Sequence, residues 1–347
     1  MKKIIISIIV SLSFAAIEFS GDARFRPRYD VKEYTNSDNT ADFYFLYRGR
    51  LNIKADIGEG WFFSTKIGTN DVAGMTKMGS ITSGPSDGPG NLNSNRPNLS
   101  FLELYYGYMQ EDKGLWVGAF PLKYTPAYDL HFYSDKLVDI PFVLFNHSSV
   151  TGMAGYKIVG DYKLNWFLSL DENVTNSVEA ALDGVEQTEK DSYTLGLNST
   201  FNINNITITP SVLLSFGEDD LPNTYGFDLG FPKFSKITSG FSYFLSDHED
   251  YDANIIRFSA SDGKWKLFYD LVDKKNTIVG LDGELTTSDD SLSYLWLSYK
   301  FVCYKSNNGS VSISPTYRIQ NGGYSSGVFD EDYSRSKFEI TTEIKFN

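Results

Sequence analysis

Residues 41–57 read ADFYFLYRGRLNIKADI, and apolar and polar side chains alternate along the whole stretch. One face carries Ala41, Phe43, Phe45, Tyr47, Gly49, Leu51, Ile53, Ala55 and Ile57. The opposite face is mostly polar and carries Asp42, Tyr44, Arg48, Arg50, Asn52, Lys54 and Asp56. This alternation runs far beyond the mean of about 5–6 residues for a strand in a soluble protein. It predicts a long β-strand with one apolar face and one face in water.

The same pattern recurs to the end of the chain and predicts an all-β protein with sixteen strands. One further apolar stripe is formed by Leu102, Leu104, Tyr106 and Tyr108. In other predicted strands Leu168 and Leu197 share the apolar face, whereas Thr194 and Ser211 take the polar face. The predicted strands are 18–30, 41–57, 60–70, 99–110, 114–122, 149–159, 162–171, 191–203, 205–217, 223–231, 236–246, 251–261, 263–271, 291–303, 309–320 and 335–347.

The connections between these strands alternate in length. Short turns rich in Gly, Asn, Asp and Pro are predicted at 58–60, 110–113, 160–161, 204–205, 232–233, 262–263 and 307–309. The other connections are 31–40, 71–98, 123–148, 172–190, 218–222, 247–250, 272–290 and 321–334, and most of them are longer. Long loops at one end and tight turns at the other are typical of a transmembrane barrel. We therefore predict a single transmembrane antiparallel up-and-down β-barrel of about sixteen strands.

The N-terminus predicts export. Met1-Lys2-Lys3 is followed by an apolar run over 4–14 and by Ala15-Ala16, which is the pattern of a signal peptide. We predict a signal peptide over 1–16, cleaved after Ala15 or Ala16, and one barrel domain over 17–347. No apolar run reaches the length of about 20 residues that a membrane helix needs.

The composition excludes several classes of protein. A single Cys cannot form an internal disulfide or a structural zinc site. A net charge of −13 with three His disfavours nucleic-acid binding. Acidic clusters in the predicted loops lack the spacing of a calcium-binding EF-hand. We predict no cofactor, no metal site and no nucleic-acid partner.

Three segments resemble Gram-negative outer-membrane porins. The opening Phe19-Ser20-Gly21-Asp22-Ala23-Arg24-Phe25-Arg26 is one, and Gly118-Ala119-Phe120-Pro121 is similar to a stretch of the porin O and P family. The last strand, with penultimate Phe346, resembles the porin assembly signal. The resemblance implies a cell outer-membrane location and passive diffusion of small hydrophilic solutes or ions through a water-filled channel. It also implies contacts with outer-membrane lipids and lipopolysaccharide, recognition of the last strand by the barrel-assembly machinery, and a homotrimer as one oligomeric form.

Basic residues cluster at polar-face positions of the first three strands. We predict that they form a basic ladder on one wall of the pore: Arg24, Arg26, Arg28, Arg48, Arg50, Lys54 and Lys66. A hairpin that turns near residues 35–36 would set Arg24 beside Arg48 and Asp22 beside Arg50. Charged walls set the selectivity of pores. The alternative is that Asp22, Asp42, Asp56 and loop carboxylates neutralise the ladder. The eight outer loops themselves hold 26 acidic and 8 basic residues, so they form an acidic crown.

The third outer loop, 123–148, corresponds to the loop that narrows the channel in general porins. Its aromatic residues would be poorly placed in open water and could pack inside a barrel. The resemblance implies a constriction formed by Tyr124, Tyr128, Asp129, His131, Tyr133, Asp135, Lys136 and Asp139. The alternative is an outer lid or a subunit contact.

No catalytic site is predicted. His147 and Ser149 have the His-x-Ser spacing of outer-membrane phospholipases, whose dyad faces lipid. We expect Val150, Gly152, Ala154 and Tyr156 to face lipid instead, which would turn His147 and Ser149 towards the lumen. The protein is therefore predicted not to be an enzyme. Two alternatives to a porin stay open: a secreted or surface β-sandwich adhesin that binds glycans, and a barrel plugged by its loops that acts as a receptor.

Overall fold

The computed structural model describes residues 16–69, 75–78, 98–121, 149–173, 191–217, 222–249, 251–279, 285–326 and 329–347. In chain order the strands are β1 (Ala16–Tyr34), β2 (Thr40–Gly58), β3 (Trp61–Thr69), β4 (Thr76–Lys77), β5 (Leu99–Met109), β6 (Lys113–Pro121), β7 (Ser149–Val159), β8 (Tyr162–Asn173), β9 (Asp191–Ile203), β10 (Ile206–Gly217), β11 (Asn223–Gly230), β12 (Thr238–His248), β13 (Tyr251–Ser261), β14 (Trp265–Val279), β15 (Leu285–Tyr299), β16 (Phe301–Ser306), β17 (Gly309–Ser326) and β18 (Phe329–Phe346). No helix in these ranges is long and apolar enough to cross a membrane.

The strands form one closed antiparallel sheet. Strand β1 pairs with both β2 and β18, and this contact between the first and last strands closes the barrel. Two short strands are additional to the sixteen barrel strands: β4 pairs with β2, and β16 continues β15 and pairs with β17. The predicted sixteen-stranded barrel is confirmed. The β-sandwich alternative is wrong, because the described strands form one closed sheet and not two packed sheets.

The outer face of the barrel is apolar and exposed. Phe43 is 57% exposed and Leu104 is 44% exposed, whereas Thr194 on the opposite face is 0% exposed. The register places Leu197 opposite Val212 on the outer face and Ser211 opposite Asn198 on the inner face. An apolar surface that surrounds a closed barrel requires an apolar solvent such as lipid. The predicted strand parity is thus confirmed over most of the chain.

The parity of β7 is the reverse of the prediction. Val150, Ala154 and Tyr156 were expected on the lipid face, but each is at most 7% exposed and lies on the inner face, while Met153 is 41% exposed. Small residues occupy both faces of this strand, with Gly152 and Gly155 at opposite parities. Because neither face is clearly polar, the alternation of β7 does not show which one is turned to lipid.

A β-bulge changes the parity of β5. Leu102 was expected in the same outer stripe as Leu104, yet it is 5% exposed. Lys66 lies opposite Glu103 and Ile67 opposite Phe101, so Leu102 is the extra residue of the bulge. A bulge turns the side chains on its two sides to different faces, and an alternation pattern read straight through it is wrong for one side.

Two predicted outer loops are largely strand. The hairpin β14–β15 is paired up to Val279 and Leu285, and the hairpin β17–β18 up to Ser326 and Phe329. These extensions carry Ser, Thr, Asp and Gly on both faces, as expected above the apolar band. Apolar and polar residues do not alternate there, so no strand was predicted. Part of the predicted acidic crown, including Asp289 and Asp290, therefore lies on paired strand ends and not on loops.

Most turns at the other end of the barrel are tight, as predicted, but the β11–β12 connection spans 231–237 and is longer than the predicted turn at 232–233. Asn204 and Asn205 both have positive φ, at 51° and 66°, which Asn tolerates better than most residues. In the β13–β14 turn the Asp262 carboxylate accepts hydrogen bonds from the backbone N–H groups of Trp265 and Lys264 at 2.9 and 2.8 Å. These bonds to its charged form hold the pKa of Asp262 below its ordinary value.

Candidate functional site

The arginines of β1 and β2 share the inner face with buried carboxylates. Arg24 lies opposite Arg48 and Asp22 opposite Arg50, so the predicted register of the first hairpin is confirmed. Asp22 accepts hydrogen bonds from Arg48 at 3.0 Å and from Arg50 at 2.8 Å, and Arg24 lies 3.6 Å away. Three guanidinium groups therefore surround one carboxylate.

A second carboxylate with three arginines lies on the last strand. Glu339 is 1% exposed. Its Oε2 accepts a hydrogen bond from Arg28 at 2.9 Å, and its Oε1 accepts one from Arg318 at 2.7 Å. Arg26 lies 3.6 Å from Oε1. Glu339 thus joins arginines from β1 and β17 across β18.

Two further carboxylates complete this group. Asp30 forms ion pairs with Arg335 at 2.6 Å and Lys337 at 3.7 Å. Glu343 pairs with Arg24 at 2.5 Å. We call the inner-face charges of β17, β18, β1 and β2 the charged wall: Asp22, Arg24, Arg26, Arg28, Asp30, Arg48, Arg50, Arg318, Arg335, Lys337, Glu339 and Glu343. Cations outnumber carboxylates in it by two to one.

The structure brings five of the seven predicted ladder residues into the charged wall. Lys66 lies elsewhere and pairs with Glu103 of β5. Lys54 is exposed and forms no ion pair within the described residues. Of the predicted neutralising groups, Asp22 has that role, whereas Asp42 pairs with Lys77 at 3.6 Å.

The main partners of the ladder arginines were missed by sequence reasoning. Barrel closure sets Arg24 opposite Glu343 and Arg28 opposite Glu339, more than 300 residues away in sequence. The sequence does contain the information needed, because Glu339 and Glu343 lie at polar-face positions of the last predicted strand. Their pairing with the arginines can be predicted once the first and last strands are placed side by side.

A separate ion pair lies on the inner face of β13 and β14. Arg257 donates two hydrogen bonds to Asp270, at 2.8 and 2.9 Å, and its guanidinium stacks over Phe268 at 5.0 Å from the ring centroid. Asp270 is 0% exposed. This bidentate pair carries no net charge, in contrast with the charged wall.

Another part of the inner face is apolar, which the sequence did not predict. We call it the apolar wall; it consists of Phe62, Trp116, Phe120, Val150, Ala154, Tyr156, Phe167 and Leu213. Some of its rings lie over a glycine of the next strand: a side chain at Gly196 would collide with the ring of Phe167. Such aromatic–glycine pairs let a ring lie flat against the wall of the barrel.

The inner face is buried all around the barrel. Each of the sixteen barrel strands contributes at least one buried inner-face side chain, including Phe120, Ser246, Ile255 and Asp270. Inner hydroxyl groups are bonded to one another or to carboxylates: Thr194 bonds Asp171 at 2.5 Å. A tube filled only with water would leave such side chains open to solvent. These inner-face side chains are therefore covered by protein atoms and not by water.

Some predicted sites lie outside the described residues. These are the signal peptide apart from Ala16, and the whole predicted constriction: Tyr124, Tyr128, Asp129, His131, Tyr133, Asp135, Lys136 and Asp139. His147 lies outside them too. The sequence argument that His147 and Ser149 face the lumen is wrong, because it assumed that Val150, Ala154 and Tyr156 face lipid.

In the described part of the chain no group of three His, Cys, Asp or Glu side chains could hold a metal ion.

Solved structures of a porin and of an outer-membrane protein share this fold. A variant of Rh. blastica porin aligns with 12% identity and a TM-score of 0.55, over 95% of this chain and 100% of that chain. OmpT expressed in the outer membrane of Vibrio cholerae aligns with 11% identity and a TM-score of 0.51, over 95% and 97%. No protein-family profile matches the sequence, and no curated protein is significantly similar to it. The closed barrel is thus the fold of sixteen-stranded porins.

Proposed function

We propose that this protein is an outer-membrane porin that lets small hydrophilic solutes or ions diffuse through the barrel. The observation that carries the proposal is the combination of an exposed apolar outer face with a charged inner face in one closed barrel. A soluble barrel would have the opposite arrangement. Export by a cleaved signal peptide, contacts with lipopolysaccharide, insertion by the barrel-assembly machinery and a homotrimer belong to the same proposal. The prediction that the protein is not an enzyme also stands as a proposal.

The charged wall supports a weak preference for anions. Its cations exceed its carboxylates, and they lie on the inner face, where the low-dielectric barrel wall focuses their field. The acidic outer residues oppose this preference, but at 0.15 M salt their influence decays over about 8 Å. The wall is therefore expected to set selectivity at moderate salt, and the acidic residues to regain influence as salt falls.

Halving the excess positive charge of the wall tests this preference. Replacing Arg24, Arg48 and Arg50 together would leave buried Asp22 without its cations, so the better variant is Arg24→Gln with Arg50→Gln, which keeps the Arg48–Asp22 pair. We expect its reversal potential in a salt gradient to shift towards cation selectivity. The matched control, Arg257→Gln with Asp270→Asn, removes an inner-face pair without changing net charge and should leave the reversal potential unchanged. An unchanged potential in the Arg24/Arg50 variant would mean that other groups neutralise the wall.

The apolar wall supports a constriction by loop 123–148. Phe120 and Val150, the buried residues nearest to the two ends of this loop, both belong to the apolar wall. Apolar side chains on an inner wall are stable only when something covers them, and an aromatic loop that starts and ends beside them would provide the cover.

A deletion tests the constriction. Removing residues 127–136, between Pro126 and Asp139, should raise single-channel conductance because the narrowest part of the passage would widen. The measurement is conductance in planar bilayers, with heat-modifiable electrophoretic mobility as the control for folding. Unchanged conductance in a folded variant would place the loop outside the lumen.

The burial of the inner face favours one second candidate, a barrel plugged by its own loops that acts as a receptor. The observation is the burial of inner-face side chains on every barrel strand. A plugged barrel would show no conductance in the wild-type protein and would gain it after the loop deletion. A constricted porin conducts in both forms.

A further inference from the structure

Strand β16 has an open edge at the short-turn end of the barrel. It pairs with β17 on one side, from Phe301 opposite Ile313 to Ser306 opposite Gly309. On its other side the last contact is the hydrogen bond from the N–H of Lys300 to the carbonyl of Lys264, at 2.7 Å, where the β13–β14 turn ends. Within the described residues no strand pairs with that second edge of β16.

This edge lies in water and not in lipid. Unpaired backbone N–H and C=O groups do not occur in contact with the hydrocarbon region of a membrane. All residues of β16 are exposed, on both of its faces, including Phe301 and Tyr304 at 53% and 60%. Strand β16 therefore projects beyond the apolar band and presents both backbone groups and large side chains to solvent.

Lysines are concentrated at the short-turn end of the barrel, in the half that carries the open edge. Three consecutive short-turn connections, 231–237, 262–264 and 300–308, and the end of β18 carry them, and we call this group the basic rim: Lys233, Lys236, Lys264, Lys300, Lys305 and Lys345. Two carboxylates lie in the same region: Asp262 accepts hydrogen bonds from backbone N–H groups, and Glu343 pairs with Arg24 and lies 3.5 and 3.8 Å from Lys300 and Lys345. The six lysines outnumber these two carboxylates. The turns on the other half of the barrel instead carry Glu59, Glu111, Asp112 and Asp161. The field at the β16 edge is locally positive in a chain whose net charge is −13.

We propose that the β16 edge and the basic rim bind an extended acidic segment of a partner protein, which adds to β16 as a further strand. Backbone hydrogen bonds to the edge would supply affinity, and the lysines would select acidic side chains. A second copy of this chain is a poor occupant, because pairing two β16 edges would bring lysines together. Lysines and a β-bulge on an edge strand, such as the one between Val302 and Tyr304, disfavour pairing with the same edge of another copy. The proposal rests on the proposed function in one respect only: the outer-membrane location determines on which side of the membrane the partner is found.

Synthetic peptides test the proposal on the full-length protein in phosphatidylcholine nanodiscs. The probe is a fluorescent ten-residue peptide of alternating Glu and Val, compared with its Lys and Val counterpart and with an acidic version interrupted by Pro. We expect the acidic peptide to bind at least about tenfold more tightly than either, because Pro removes backbone donors and Lys reverses the charge. Hydrogen exchange should show new protection of the amides of 301–306 when the acidic peptide is bound.

A pair of matched variants locates the site. Lys305→Glu should weaken binding of the acidic peptide by about tenfold, whereas Lys113→Glu, at the same end but on the opposite half, should change it less than about twofold. Equal binding of the Pro-interrupted peptide, or no protection of 301–306, would overturn strand addition. Binding of phosphatidylglycerol vesicles to the protein, without binding of the acidic peptide, would assign the basic rim to lipid. Protection of the 301–306 amides that rises with protein concentration in the absence of peptide would assign the edge to a second copy. Either result overturns the proposal. Conductance of the same preparation tests the proposed function independently.

Discussion

Replacing Glu339 by Gln is expected to lower the free energy of unfolding by about 3–5 kcal/mol, because it removes the shared carboxylate of a buried charge cluster. Glu339 is 1% exposed and is in contact with three guanidinium groups, from Arg26, Arg28 and Arg318. Without it, three like charges would remain together on the inner face of the barrel. The measurement is equilibrium unfolding by guanidinium chloride in lipid vesicles.

The control for this variant is Glu343→Gln on the same strand. Glu343 has three cationic neighbours, but Lys300 and Lys345 are 3.5 and 3.8 Å away and their side chains are 38% and 51% exposed. Water can solvate these lysines, so the loss should be smaller than for Glu339. A double variant Glu339→Gln with Arg28→Gln should recover part of the lost stability, since it relieves the repulsion. A loss below about 1 kcal/mol for Glu339→Gln would show that the cluster is solvated, as a surface pair is.

Arginine on the outer face is expected to destabilise the barrel by about 2–4 kcal/mol near the membrane midplane. The matched pair is Leu197→Arg on the outer face and Ser211→Arg on the inner face, because Leu197 and Ser211 lie in consecutive rows of the β9–β10 pair. Leu197→Arg should carry the full cost, and Ser211→Arg should cost less, because its charge stays inside the barrel and only the packing around the buried Ser211 hydroxyl is disturbed. Unfolding in vesicles measures both, and equal costs would contradict the membrane orientation of the strands.

The structure changes one expectation in this series. The sequence places Thr194 on the polar face, and an inner face open to water would tolerate Arg there. Thr194 is on the inner face, but it is 0% exposed and is bonded to Asp171 and Ser215. Thr194→Arg should therefore also be destabilising, through overpacking and not through lipid exposure.

Much of the fold was predictable because alternation is a strong signal wherever the two faces differ. Strand β2 shows this: Phe43 and Phe45 mark one face, and Arg48 and Arg50 mark the other. The prediction was wrong where the two faces are alike, as in β7, or where a bulge interrupts the period, as at Leu102. The strand extensions beyond the apolar band were missed for the same reason, since both faces are polar there.

The candidate site was predictable in part. Five arginines could be placed on one wall because they share a parity on two consecutive strands. Their carboxylate partners Glu339 and Glu343 depend on closure between the first and last strands, which no local pattern reports. The apolar wall could not be predicted, because Trp116 or Phe167 on an inner face is indistinguishable by type from a lipid-facing aromatic. The glycine that lies opposite each of these rings on the neighbouring strand is the one sequence feature that indicates which face the ring lies on.

Single-channel recording in planar bilayers, with a salt gradient across the membrane at a mean concentration near 0.15 M, tests the porin proposal most directly. The folded wild-type protein should produce discrete conductance steps, with a reversal potential that indicates a weak preference for anions. Folding is confirmed in the same preparation by heat-modifiable electrophoretic mobility. A folded, membrane-inserted barrel that produces no conductance steps would contradict the central claim that this protein is a porin.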